Sequence, residues 1–96
     1  MPQWRVTFVC ADAKKEWESA SAKFASQAAA TWRLLQTNPH DSAALVSALF
    51  PLREVAGKQL PQRVLWMTPD VVVAFCIDTD VVWILGSRKY PSGHPC

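Results

Sequence analysis

Residues 71–77 read Val-Val-Val-Ala-Phe-Cys-Ile, an unbroken apolar run bounded on each side by turn-forming residues. A strand with no polar side chain to turn toward water needs cover on both faces, which places it in the middle of a sheet. Two further strand-like runs flank it, residues 63–67 and 81–85. The connections Thr68-Pro69-Asp70 and Asp78-Thr79-Asp80 are short, and their Pro and Asp content suits tight turns between antiparallel neighbours. The C-terminal half is therefore expected to be an antiparallel meander.

The N-terminal half changes period. Trp4, Val6, Phe8 and Cys10 alternate with Arg5 and Thr7, which predicts a half-buried strand. Asp12 is placed to cap a helix over residues 13–24, whose Ala13, Trp17, Ala20 and Phe24 recur at spacings of three and four. Ser26 is placed to cap a second helix, rich in alanine and leucine, that must stop before Asn38-Pro39 because proline disfavours helical geometry in the residue preceding it. Residues 41–50 read either as a short helix ending at Pro51 or as an insertion in a loop. Residues 51–61, punctuated by Pro51, Gly57 and Pro61, carry Lys58 in an expected loop. The resulting expectation is an α+β fold of order β-α-α-β-β-β, a helical hairpin packed on a mainly antiparallel four-stranded sheet, with residues 1–96 as one domain.

Ten Lys and Arg against eight Asp and Glu give a net charge of +2, too small a surplus to define a nucleic-acid binder. Placement says more than the total. Beyond Asp80 no acid follows, while Arg88, Lys89, Tyr90 and His94 do, so the cationic end is local. The same residues also describe a solvated tail after a core strand. Three cysteines, Cys10, Cys76 and Cys96, show no CxxC or CxxH spacing. Two of them lie in apolar runs where a thiol acts as a small hydrophobe, which reads as a reducing, cytoplasmic setting with no metal site. Only three glycines occur and none forms a phosphate-cradling loop, so no cofactor is expected. The polar stretch 12–18 interrupts the N-terminus before it could serve as a signal peptide or membrane span. Five tryptophans are spread over every expected element and read mainly as core; Trp66 stays open to base stacking beside Arg63 and Arg88.

This order of elements resembles the RelE/ParE superfamily of bacterial toxins. The features that carry the likeness are the helix-borne Lys15-Glu16-Trp17, the Asn38-Pro39 break and a last strand running into Ser87-Arg88-Lys89. The resemblance implies the toxin of a toxin–antitoxin system, cytoplasmic and held inactive by an antitoxin protein. In its nuclease branch the toxin is an mRNA interferase, a metal-independent endoribonuclease that acts on ribosome-bound mRNA and inhibits translation. In its ParE-like branch the target is DNA gyrase. Carried over by position, Arg88 would stabilise the phosphate in the transition state, Tyr90 would move a proton, and Arg63 would complete the catalytic group. Lys89, Arg53, Lys58 and His94 would bind RNA. The run Val71-Val72-Val73-Ala74-Phe75 lacks the Tyr-Arg pair that many active relatives carry there, which leaves a catalytically inactive partner-binding homologue as the third reading.

Overall fold

The computed structural model describes residues 3–40, 45–46 and 52–89. The chain opens with strand β1 (Arg5–Phe8), followed by helices α1 (Ala11–Lys23) and α2 (Ala25–Thr37). Cys10, not Asp12, occupies the cap of α1: its extended backbone turns the chain into the helix, and its Sγ accepts the Ala13 N–H at 3.4 Å. Asp12 sits one position inside the first turn, where its charge meets the positive helix end. Cys10 is also disulfide-bonded. It is half-buried at a helix start, so the expectation of a thiol packed as a small hydrophobe fails for Cys10.

The two helices are separate. A single residue, Phe24, ends α1 and begins α2 with φ −130° and ψ 58°, and α2 starts at Ala25 without a side-chain cap, so Ser26 does not have the role expected of it. Their apolar stripes converge on Trp17 and Trp32, whose rings lie 5.3 Å apart.

The main sheet has β1 at one edge, followed in order by β7 (Val81–Lys89), β6 (Val71–Asp78), β5 (Arg63–Trp66) and β2 (Leu45–Val46). Strands β5 (Arg63–Trp66), β6 (Val71–Asp78) and β7 (Val81–Lys89) form the expected antiparallel meander, and β1 closes onto β7 in parallel. Four strands thus carry the fold. The two-residue strand β2 (Leu45–Val46) adds to β5, so the short helix expected over residues 41–50 gives way to extended chain at those two positions; the rest of that stretch lies outside the described residues.

The expected loop over residues 51–61 is instead a second, two-stranded sheet, β3 (Leu52–Val55) paired with β4 (Lys58–Pro61). Ala56 and Gly57 connect them with φ of +52° and +80°, the two positive values that a tight two-residue hairpin loop demands. Lys58 is therefore a strand residue.

This hairpin explains how β6 can be apolar throughout. On one face Val73 and Phe75 meet Trp17, Ala20, Ala28 and Leu35 of the helices. On the other, Ala74 and Cys76 meet Val55 and Leu60 of the hairpin. Each face of the central strand has its own cover, and Val72 through Cys76 are all buried.

Burial also sets the chemistry of Cys76. Removal from water pushes its thiol up from its ordinary 9.0 to about 11, against a smaller opposing pull from the Arg53 guanidinium. Burial disfavours the thiolate, so the raised pKa costs the folded state stability only at a pH where the unfolded chain ionises this group. Stability is thus independent of this group below about pH 9, falls as pH rises toward 11, and levels off above it. The expected loss across that window is roughly 2 to 3 kcal/mol, read as the difference between urea-denaturation curves of the wild type and Cys76→Ala at successive pH values. Equal pH dependence of the two proteins would contradict it.

Candidate functional site

The end of β7 is built by a bulge. Phe75 pairs with Ile84 and Ala74 with Gly86, so Leu85 is the extra residue and the alternation of side chains shifts by one beyond it. Ser87, opposite Val73, turns to the helix side. Arg88, opposite Val72, takes the hairpin side.

β1 pairs with β7 only as far as Ile84, so this last stretch has no strand on its outer edge. Glu16 of α1 fills the gap. Its Oε1 accepts the Ser87 N–H at 2.9 Å, and its Oε2 accepts from Nε and Nη2 of Arg88. One carboxylate thereby completes a backbone hydrogen bond and neutralises a guanidinium. The Arg88 side chain is 39% exposed and that of Glu16 19%, so the pair is half-buried and open to solvent on the arginine's side. Beside it a cleft of about 280 Å³ is lined by Glu16, Ser19, Lys23, Phe24, Val71 and Ser87. The buried Ser87 Oγ has no hydrogen-bond partner among the described residues.

The residues assigned from the sequence do not gather here. Arg63 opens β5 opposite Phe75, on the helix side of the sheet, whereas Arg88 takes the opposite face; the expectation that they share a face with Trp66 fails for Arg63. Arg63 lines a different cavity, with His40. Arg53 lies in β3, paired with Leu60. Lys58 in β4 is tied to Asp78 at 3.1 Å. Lys89 is described only as backbone, opposite Val71, and Tyr90 and His94 lie outside the described residues.

What the geometry does bring together is one cross-strand row. Trp66 pairs with Val72, and Val72 with Arg88, so Trp66, with an indole that is 47% exposed, and Arg88 stand at register positions of one face, while the guanidinium itself turns to Glu16 of α1. Sequence reasoning missed Glu16 as the partner of Arg88. The signal was there: Glu16 stands one turn from both Ala13 and Ala20, at the margin of the buried stripe, where a carboxylate needs a cation or donor to offset its burial.

Chemically, the assembled group is an ion pair and an aromatic platform. It can hold an anion if Glu16 yields Arg88, and it can present a stacking surface. Among the described residues no general base stands beside Arg88; the neighbouring carboxylate is already engaged. No family model matches the chain, and neither the curated proteins nor the solved structures contain a match.

Proposed function

We propose that this chain is a toxin of RelE/ParE type that acts by binding a macromolecular target rather than by cutting RNA. The observation that carries the reading is the separation of the two arginines: Arg63 and Arg88 stand at register positions of opposite faces of the sheet, and Arg88 is neutralised by Glu16. Cleavage of a phosphodiester needs cations and proton carriers focused on one phosphate. A binding mode needs only a surface. DNA gyrase is the target this branch implies, and an antitoxin protein is the partner that would silence it.

A second reading, the ribosome-dependent endoribonuclease, is favoured by the Trp66–Val72–Arg88 row, since an exposed indole in the same cross-strand row as an arginine suits an unstacked base and its phosphate. The two readings separate in one experiment. Induced expression of wild type and Arg88→Ala is expected to arrest growth equally, with intact mRNA on translating ribosomes and inhibited supercoiling by purified gyrase. Cleaved mRNA that disappears with Arg88→Ala would establish the nuclease instead. Unimpaired growth with both proteins would remove the toxin reading altogether. Either target implies a cytoplasmic chain; a Cys10 disulfide that persists in cells during normal growth would count against that location.

A further inference from the structure

The β3–β4 hairpin differs from the rest of the fold in how it is attached. Its two strands pair with each other and form a sheet separate from the main one. Ladder hydrogen bonds therefore hold the hairpin together rather than to β6. A two-stranded hairpin alone is marginal in water, so its place over the main sheet rests on side chains.

Those side chains are few. Of residues 52–61 only Val55 is buried, and with the half-buried Leu60 it packs on Ala74, Cys76 and Leu85. The Cys76 Sγ donates to the Leu60 carbonyl at 4.0 Å, a long and weak bond. Lys58 directly follows the Ala56-Gly57 loop, so its ion pair with Asp78 at 3.1 Å lies at the tip of the hairpin, with the lysine side chain 59% exposed. An ion pair this open to water contributes little. At the base the hairpin is tied to itself, since Gln62 Nε2 donates to the Leu52 carbonyl at 3.4 Å, and Gln62 is the single residue that joins β4 to β5. The opposite face of β6 is held far more heavily, by Trp17, Leu35, Phe75 and Ile84 in one cluster.

We propose that the β3–β4 hairpin is a lid, latched at its tip by Lys58 and Asp78, that lifts as a unit and uncovers Ala74, Cys76 and Leu85 while the helices stay packed on the main sheet. A cooperative unit with little buried apolar surface opens at a lower free energy than the whole domain. The lid stands independently of the toxin reading, because it concerns only the folded chain. Cys76 is its reporter: the thiol is free, wholly buried beneath the hairpin, and reaches solvent when the hairpin lifts.

The test is alkylation of the full chain by iodoacetamide under native conditions, with modification of Cys76 followed by peptide mass spectrometry. Lys58→Met is expected to raise the rate by roughly two- to fivefold, the value of an exposed ion pair. Ala28→Gly lies in the helix-side core, which stays intact when the lid is open. It is expected to raise the global unfolding constant about fivefold, read from urea denaturation, and to leave the alkylation rate unchanged. The wild-type rate should also climb with urea less steeply than unfolding does, since lifting the lid exposes less surface. An alkylation rate that rises in Ala28→Gly by the same factor as its unfolding constant would overturn the lid, as would a urea dependence equal to that of unfolding or no alkylation of the folded protein. Equal rates in the wild type and Lys58→Met would overturn the latch.

Discussion

Phe75→Ala is expected to cost about 3 to 5 kcal/mol of folding stability. Phe75 is wholly buried at the centre of β6, with Arg63 beside it on one strand and Ile84 on the other, and its ring lies in the cluster that joins the sheet to Trp17, Ala28 and Leu35. Removing it deletes apolar contacts and leaves a space that three layers of surrounding structure cannot collapse into, because the strand is fixed on both edges. A domain of this size has only about 5 to 15 kcal/mol to lose. Urea denaturation should therefore show a much lower midpoint for Phe75→Ala, with Leu52→Ala, at a site 58% exposed, nearly unchanged. Similar midpoints for Phe75→Ala and Leu52→Ala would contradict this account of the core.

The order of elements was legible because each carries its own periodicity. Alternation in β1, the stripe of Ala13, Trp17 and Ala20 in α1, and the apolar run of β6 are local signals that the structure places where a strand, a helix and a central strand belong. The second face of β6 was legible only as a requirement. Something had to cover Ala74 and Cys76, and the segment that does so, β3 with β4, was hidden because Pro51, Gly57 and Pro61 also punctuate loops. Ala56-Gly57 between short segments was the available hairpin signal.

The candidate site was less legible for a sharper reason. Counting alternate residues along residues 81–89 puts Ile84, Gly86 and Arg88 on one face. The bulge at Leu85 breaks that count, sending Ser87 toward the helices and Arg88 to the other side. A lone glycine inside a strand is a known mark of such irregularity, and Gly86 lies at this one. One inserted residue thus separates Arg88 from Arg63, and no propensity or charge count reports a register shift that depends on the partner strand.

Glu16→Ala is expected to destabilise the fold by about 2 to 3 kcal/mol, and Glu16→Gln by about half of that. The difference follows from what the carboxylate does. Its Oε1 satisfies the Ser87 N–H in a residue only 6% exposed, and a buried donor left without an acceptor costs about 1 to 3 kcal/mol. The alanine variant loses that acceptor and the Arg88 contact together. A glutamine keeps an acceptor oxygen for Ser87 and gives up only the charge opposing Arg88, which is exposed enough to take up water. Arg88→Ala removes the cation while leaving the Ser87 bond in place, so it should resemble glutamine rather than alanine in its stability cost. The same three variants bear on function, because Glu16→Gln loosens the guanidinium without unfolding the strand edge. If the nuclease reading holds, Glu16→Gln should bind single-stranded RNA more tightly than wild type, and Arg88→Ala should bind it less. If the chain acts on a protein target through another face, RNA binding stays flat across all three while the stability order persists. A stability loss for Glu16→Gln as large as that for Glu16→Ala would show that the charge, not the Ser87 hydrogen bond, is what holds α1 to the end of β7.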